Sequence, residues 1–365
     1  MLHKVYKSKY KVLFHLIFSI FFLYLFFLGV ELLTSSLKAF GSDFARKLIT
    51  ATTNPFTGLF IGLLSTAIIQ SSSVTTSITV GFVSAGTLTI RNAIPIIMGA
   101  NIGTTITCAI ASFGHFSIER EFSKAFPAAI VHDIFNILSV IIFLPIELFF
   151  HPVERVSILL THFFIGKETV CFTSPLKLVV APIVERIMIL FGTHCIFLAI
   201  ISLGVIILAI TSFVSILRKA SAERFEILID QYLFRNDFSA WVLGLCLTAF
   251  IQSSSITTSL VVSLVGTQII TIEKAYPYTL GANLGTTVTA ILAALATGNS
   301  NGVAIAFSHS LFNFFGILVW YPLRRVPLTI AKKIGALSGR RRLLAFVYII
   351  VIFIIIPMIG ILLGR

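Results

Sequence analysis

One stretch of the sequence occurs twice. Thr66-Ala-Ile-Ile-Gln-Ser-Ser-Ser-Val-Thr-Thr-Ser77 returns as Thr248-Ala-Phe-Ile-Gln-Ser-Ser-Ser-Ile-Thr-Thr-Ser259, with ten of the twelve positions identical. A second pair lies at the same separation of 182 residues: Gly99-Ala-Asn-Ile-Gly-Thr-Thr-Ile-Thr107 and Gly281-Ala-Asn-Leu-Gly-Thr-Thr-Val-Thr289. Matched pairs in the same order and at the same offset indicate a duplicated chain.

A third pair supports the duplication and fixes how far it extends. His132-x-x-Phe135-Asn136 matches His309-x-x-Phe312-Asn313 at a separation of 177 residues. The predicted organisation is a first repeat, an external linker, a second repeat, a basic cytoplasmic loop and a final span, at 1–150, 151–192, 193–322, 323–342 and 343–365.

The composition places these repeats in a membrane. The 365 residues are 57% hydrophobic and 11% charged, against roughly 25% charged in soluble domains. Both a water-soluble globule and a disordered chain are therefore excluded. The apolar stretches are continuous rather than alternating, which excludes a β-barrel. The net charge of +13 fits basic cytoplasmic loops better than nucleic-acid binding.

The arrangement of apolar segments predicts the topology. The first helix starts with an uncharged run at 13–30 and is retained, with its N-terminus inside. The other predicted spans are 92–113, 126–149, 195–217, 272–297, 303–321 and the final one. The Ser/Thr-rich stretches 54–86 and 236–268 are each long enough for two half-membrane helices. If each is a re-entrant hairpin, three spans separate the two Gln-Ser-Ser-Ser motifs, so the repeat is inverted and the C-terminus lies outside.

The repeated motifs are suited to binding small ions. Backbone polar groups cannot stay bare in lipid, so these polar tips must be buried in protein or line a wet cavity. Helix breaks offer N–H groups to anions and carbonyls to cations. One such cluster would be ordinary helix packing, but four at matched spacing favour a transport site. Asp133 is a functional candidate because an intramembrane carboxylate is costly, although structural pairing is an alternative. His132 and His309 fit either role.

No enzyme signature is present: the sequence has no H-E-x-x-H, G-x-S-x-G or P-loop motif. We therefore expect no catalytic residues, and no cofactor beyond coupling sodium ions. Four cysteines without C-x-x-C spacing argue against a metal centre, and Cys171 with Cys195 is a candidate external disulfide.

These motifs resemble the type II sodium-dependent phosphate cotransporters over residues 12–363. Besides the duplicated Gln-Ser-Ser-Ser, the resemblance rests on Ala93–Thr104, Val131–Asn136, Ile272–Pro277 and Thr286–Leu295, with Gly316–Pro322. It implies an all-α polytopic protein whose inverted repeat, re-entrant hairpins and broken helices import inorganic phosphate on a sodium gradient. It also implies a plasma-membrane or bacterial inner-membrane location, with a homodimer as an option.

The resemblance assigns candidate residues. For phosphate they are Ser71, Ser72, Ser73, Ser253, Ser254, Ser255, Asn101 and Asn283. For sodium they are Gln70, Gln252, Ser253, Thr104, Thr107, Thr286, Thr289, Asp133 and Asn136. Asp133 matches the family aspartate that is associated with an extra sodium ion and electrogenic transport.

The sequence also departs from the family in two places. The short linker and the single span beyond the repeats indicate a bacterial-type or minimal member. Cys108–His115 differs from the usual run, which weakens the case for a sodium ligand beside it. A sodium-coupled symporter of sulfate or a carboxylate, and an exporter or regulator on the same scaffold, remain alternatives.

Overall fold

The computed structural model describes residues 2–39, 52–165, 175–191, 194–209, 212, 216 and 236–364. These residues form helices and their connections, and none of them forms a β-strand element. Six of the helices are long and apolar enough to cross a membrane: Ile17–Leu37, Ile90–His115, Glu119–Phe150, Ile272–Thr297, Ser300–Trp320 and Leu343–Leu363. The predicted all-α polytopic class is confirmed.

Each Ser/Thr-rich stretch forms a pair of short helices, here called the first and second hairpins. The first consists of Pro55–Ile69 and Ser72–Ser84, and the second of Asp237–Ile251 and Ser254–Gly266. Their arms of 15 and 13 residues extend about 22 and 20 Å, which is shorter than the ~30 Å hydrocarbon core of a bilayer. This length suits re-entrant segments, and their placement in a membrane stays a prediction.

A threonine pair ties the two arms of each hairpin together. Thr66 Oγ1 donates to Thr75 Oγ1 at 2.8 Å, and the Oγ1 atoms of Thr248 and Thr257 lie 2.7 Å apart. Each pair is buried, so the hydroxyls satisfy one another where water is excluded. The hairpins therefore have the same internal bond, formed by threonines of the repeated motif.

Each Gly-Ala-Asn-x-Gly-Thr-Thr motif lies in an interrupted helix, here called the first and second broken helices. The first consists of Ile90–Gly103 and Ile106–Ser112, and the second of Ile272–Gly285 and Thr287–Thr297. Each interruption directly follows a motif glycine. The second break is narrower than the first, with Thr286 alone between its two segments.

The two halves interlock rather than lie side by side. The second arm of each hairpin packs against the long helix of the other half, Glu119–Phe150 or Ser300–Trp320. Hydrogen-bonding contacts cross between the halves: Ser84 Oγ donates to Thr297 Oγ1 at 3.1 Å, and Cys108 Sγ lies 2.8 Å from Thr258 Oγ1. The core is therefore shared by both repeats.

The connecting segments are more helical than predicted. The linker contains the helices Pro152–Ile165 and Pro175–Phe191. The basic segment predicted as a loop instead contains the helix Arg325–Arg340. Its Gly335 and Gly339 pack against Pro127 and Ser123 of the helix Glu119–Phe150. That loop prediction was wrong, because the segment has an apolar side that packs against the long helix.

Other predicted boundaries changed only at the ends of helices. The first candidate span runs from Ile17 to Leu37 rather than over 13–30, and its helix continues through the buried Glu31. The 126–149 span belongs to a helix that already begins at Glu119. Part of the 195–217 span and Cys171 of the proposed disulfide fall outside the described residues. The repeat boundaries and the inside or outside location of the termini stay predictions.

Candidate anion and cation site

The two hairpin tips meet across one cavity of about 270 Å³. A bulk water takes up about 30 Å³, so the cavity has room for a small hydrated ion. Its lining combines both serine triplets with residues from both broken helices: Ile69, Gln70, Ser71, Ser72, Ser73, Thr104, Gln252, Ser253, Ser254, Ser255 and Thr286. Ten of the predicted site residues thus come together, five from each half.

The turn at each tip has the same unusual backbone. Gln70 and Gln252 both adopt the left-handed conformation, with φ of 58° and 60°. That conformation costs a residue with a Cβ about 1–2 kcal/mol, whereas glycine adopts it without this cost. Both turns nevertheless have a glutamine at this position. At each tip, the strained residue is the glutamine that faces the cavity. Strained backbone conformations of this kind are typical of functional turns.

The second arm of each hairpin begins at the cavity. Ser71 and Ser253 are the N-caps, and their hydroxyl oxygens accept the backbone N–H groups of Val74 and Ile256 at 3.4 Å. Two helix N-termini, those of Ser72–Ser84 and Ser254–Gly266, therefore lie at the same cavity. This arrangement attracts anions, since each N-terminus carries roughly half a positive charge.

Among the described residues, none that lines the cavity has a charged side chain. An anion held there would be neutralised only by helix dipoles, hydroxyl groups and amides, which offset part of its charge. A cation bound next to it would supply the rest. The hydroxyl and carboxamide oxygens of the lining are hard ligands of the kind that alkali cations accept.

The second half offers a preformed cluster of such oxygens. Gln252 is buried, and its Oε1 accepts the hydroxyl of Thr289 at 2.8 Å. Thr289 Oγ1 also lies 3.4 Å from Ser73 Oγ, so the cluster connects both repeats. Thr289 itself does not line the cavity, and its hydrogen bond holds the carboxamide of Gln252 in place.

The first half does not repeat this cluster. Gln70 is exposed, and the hydroxyl of Thr107, the counterpart of Thr289, has no hydrogen-bond partner among the described residues. Gln252 and Thr289 are therefore joined by a hydrogen bond, whereas their counterparts Gln70 and Thr107 are not.

Comparison with known proteins identifies the family of the chain. The family model described as Na+/Pi-cotransporter matches residues 25–166 and 205–324, which include both hairpins and both broken helices. The chain belongs to the Na+/Pi-cotransporter family.

Relatives of the chain include two mammalian proteins. Sodium-dependent phosphate transport protein 2B of Homo sapiens is 32% identical over 436 residues, which cover 92% of this chain and 63% of that protein. Sodium-dependent phosphate transport protein 2A of Rattus norvegicus is 33% identical, covering 92% and 65%. The chain thus spans slightly less than two thirds of the length of these relatives. No solved structure matches the chain at a significant level.

Two predicted phosphate ligands of this Na+/Pi-cotransporter family member lie elsewhere. Asn101 and Asn283 are 1% exposed and do not line the cavity. Asn283 Nδ2 donates to Asn136 Oδ1 and Asn313 Oδ1 at 3.1 and 3.2 Å, and Asn101 Oδ1 lies 3.1 Å from His309 Nε2. These amides are committed to a buried network in the core, so the structure gives them no access to an anion in the cavity.

The network stabilises the two helix breaks. Asn136 Nδ2 donates to the backbone oxygen of Asn101 at 2.8 Å, and Asn313 Nδ2 donates to that of Asn283 at 3.2 Å. A break frees carbonyls that the helix would otherwise use, and a buried carbonyl needs a replacement donor. Asn136, predicted as a sodium ligand, is thus placed as a support of the first break, and Asn313 has the same role in the second.

Asp133 lies outside the cavity lining, fully buried in the long helix Glu119–Phe150. Its Oδ2 accepts the hydroxyl of Tyr348 at 3.4 Å, and its Oδ1 has no partner among the described residues. The ring nitrogens of the neighbouring His132 also lack a partner there. A buried carboxylate oxygen without a donor is costly, which marks this position as a second place where a cation would be stabilising.

Sequence reasoning left His309 open between two roles, and the structure places it in a buried hydrogen bond with Asn101. It missed the roles of Asn313 and Tyr348, although Asn313 was visible in the third repeated pair, whose asparagines recur at equal spacing. Tyr348 had no such signal, because it lies in the final span and outside both repeats.

One further group has the spacing of metal ligands. Ligand atoms of Glu147, His151 and Glu154 lie within 4.8 Å of one another. Both oxygens of Glu147 already accept backbone N–H groups, those of Val153 and Glu154 at 2.7 and 3.0 Å. The cluster is thus accounted for as the cap that begins the helix Pro152–Ile165.

Proposed function

We propose that this protein imports inorganic phosphate together with sodium by alternating access, and that the cycle is electrogenic. The observation that carries the proposal is the meeting of two Gln-Ser-Ser-Ser tips, one from each repeat, at a single uncharged cavity. Membership of the family and the names of its relatives, which are sodium-dependent phosphate transport proteins, support the same substrate pair.

Phosphate would bind between the two tips. Its oxygens would accept hydrogen bonds from the hydroxyls of the serine triplets at 71–73 and 253–255 and from the backbone N–H groups at the two N-termini. Neutral donors on both sides of an anion hold it without a strong ion pair. Such a site can release its substrate, which a transporter needs in every cycle.

Sodium would bind to the oxygens beside the tips. Gln252, Ser253 and Thr286 line the cavity, and Thr289 fixes the carboxamide of Gln252. Because no charged side chain lines the cavity, each phosphate charge that enters must be offset by a co-bound cation. The coupling of the two ions follows from this electrostatic requirement, since either ion alone would be poorly compensated there.

Asp133 would hold the ion that makes the cycle electrogenic. Divalent phosphate with two sodium ions carries no net charge, so a third sodium moves one positive charge per cycle. Asp133 has the one carboxylate that the sequence places within the candidate transport core, and its Oδ1 is unpartnered among the described residues. A cation there would relieve the cost of the buried charge.

The duplicated geometry supports an inverted-repeat transporter with re-entrant hairpins. Both hairpins are shorter than a bilayer is thick, and their tips would lie near its midplane. The basic helix Arg325–Arg340 and its flanking arginines would lie on the cytoplasmic side, as the positive-inside rule requires. With the first helix starting inside, this places the C-terminus outside.

Uptake of radiolabelled phosphate into proteoliposomes tests the proposal. Uptake should require an inward sodium gradient, fall to background when choline replaces sodium, and resist a tenfold excess of sulfate. Ser72→Ala and Ser254→Ala should each reduce uptake. Ser308→Ala is the matched control, because its hydroxyl is also buried but bonds to Ala304 within its own helix. Equal uptake in sodium and choline would refute sodium coupling, and competition by sulfate would favour a different anion.

A further inference from the structure

The final helix provides a residue that contacts the buried carboxylate of the transport core. Tyr348 lies in the helical segment Leu343–Ile350, just before a π-helical turn at Val351–Ile355. The residues that match the family model end at 324, so this helix lies outside them. Its surface is mostly exposed, and only Ala345, Phe353 and Pro357 of the segment Leu343–Leu363 are buried.

The contact of Tyr348 with the long helix is specific. Its ring packs edge-on against Phe126, with the ring centroids 6.0 Å apart, and its hydroxyl lies 3.4 Å from Asp133 Oδ2. Phe126 and Asp133 are seven residues apart, which puts them on the same face of the helix two turns apart. The ring contact therefore fixes the direction in which the hydroxyl points.

The two oxygens of Asp133 are thereby distinguished. Oδ2 accepts the tyrosine hydroxyl at 3.4 Å, and Oδ1 accepts no hydrogen bond among the described residues. The hydroxyl of Thr105 also faces this carboxyl group. A carboxylate with one oxygen held by a neutral donor has a fixed orientation, and its other oxygen is available to a cation.

We propose that Tyr348 is a positioning residue, which orients the Asp133 carboxylate so that Oδ1 binds a cation. This inference rests on the proposed function, in which that cation is sodium. The hydroxyl acts through Asp133 and has no direct role at the cavity between the hairpin tips. Loss of the hydroxyl leaves the carboxyl group free to turn, so the site binds sodium more weakly while phosphate binding is unchanged.

The test is a sodium titration of the thermal stability of the purified full-length protein without phosphate, with choline keeping the ionic strength constant. Tyr348→Phe keeps the ring and removes the hydroxyl. It should raise the half-saturating sodium concentration about tenfold, which corresponds to about 1.4 kcal/mol. Tyr276→Phe is the matched control, because its buried hydroxyl bonds only to the backbone oxygen of Trp320, at 3.3 Å. It should leave the sodium titration unchanged.

A double-mutant cycle separates positioning from a general structural effect. In an Asp133→Asn background, Tyr348→Phe should cause no further change in the half-saturating sodium concentration. An equal shift in that background, or no shift in the wild-type background, would overturn the inference. If Tyr348→Phe does not yield folded protein, Tyr348→Met replaces the ring with an apolar side chain and serves in the same cycle.

The same titration distinguishes a failure of this inference from a failure of the proposed function. A wild-type protein that sodium stabilises no better than choline would overturn sodium binding itself, and the positioning role with it. A wild-type protein that responds to sodium, with a Tyr348→Phe variant that matches it, would overturn the positioning role alone.

Discussion

Gly99→Ala should separate the first hairpin from the first broken helix. Gly99 faces the helix Pro55–Ile69, where a Cβ atom would overlap the backbone oxygen of Leu59 and lie 2.8 Å from the backbone nitrogen of Leu63. Ordinary contacts of a Cβ are 3.4–4 Å long. Both obstacles are backbone atoms, so no side chain can rotate away, and the two helices would have to move apart.

The expected cost follows from overpacking. Extra carbon atoms in a packed interior cost about 1–3 kcal/mol, and backbone obstacles put this position at the upper end of that range. Alanine recovers up to about 1 kcal/mol through its higher helix propensity. The net loss of about 2 kcal/mol should lower Tm by roughly 4–8 °C, on the scale measured for domains of 150–250 residues.

Gly204→Ala is the matched control, because Gly204 is also helical but has no atom of the described residues within 4 Å of the position of a Cβ. It should keep or slightly raise Tm and leave phosphate uptake unchanged. Thermal unfolding of the purified variants and uptake in proteoliposomes give the two readouts. A Gly99→Ala protein whose Tm and uptake match those of the control would refute the close contact, and with it the reason for glycine in the repeated motif.

Three further experiments test the ion sites and the topology. Thr289→Val should weaken sodium activation of uptake about tenfold, because it removes a hydrogen bond to the candidate ligand Gln252. Thr107→Val removes no such bond among the described residues and should change sodium activation by less than about twofold. Equal effects of the two variants would contradict the difference between the halves. Asp133→Gly should keep uptake but make it independent of an imposed potassium-diffusion potential, and a variant as voltage-sensitive as wild type would argue against a charge-carrying ion there. A cysteine at the exposed Asn301 should react with an impermeant thiol reagent from outside and one at Lys332 should not, and the reverse pattern would invert the topology.

The sequence predicted the hairpins and the broken helices because each of them left a strong local signal. The hairpins were predicted from an apolar stretch with a polar middle, and they turn at Gln70 and Gln252, inside the repeated motif. The broken helices were predicted from glycine pairs, and the breaks directly follow Gly103 and Gly285. The helix Arg325–Arg340 was missed, because its basic residues dominated the pattern and concealed the apolar side.

The sequence predicted the cavity better than the roles of the amides. Serines and glutamines at a hairpin tip line the cavity, since the two tips meet there. An asparagine in a broken helix has two possible uses, and composition does not distinguish an anion ligand from a donor to a freed carbonyl. Asn101 and Asn283 belong to the second kind, as their bonds to His309, Asn136 and Asn313 show.

The sequence indicated the difference between the halves only in part, through the unusual run Cys108–His115 that follows Thr107. Thr107 and Thr289 occupy equivalent motif positions, yet only Thr289 has a hydrogen-bond partner among the described residues. An unsatisfied buried hydroxyl costs about 1–3 kcal/mol, so equal residues in equal motifs contribute unequally to stability. The surroundings of the motifs also differ between the halves, since Asp133 of the first half is matched by Ser310 in the second. Two copies of one motif therefore form one preformed ligand cluster, at Gln252 and Thr289, and one threonine hydroxyl without a partner among the described residues, at Thr107. Only the contacts in the structure show which copy forms the cluster.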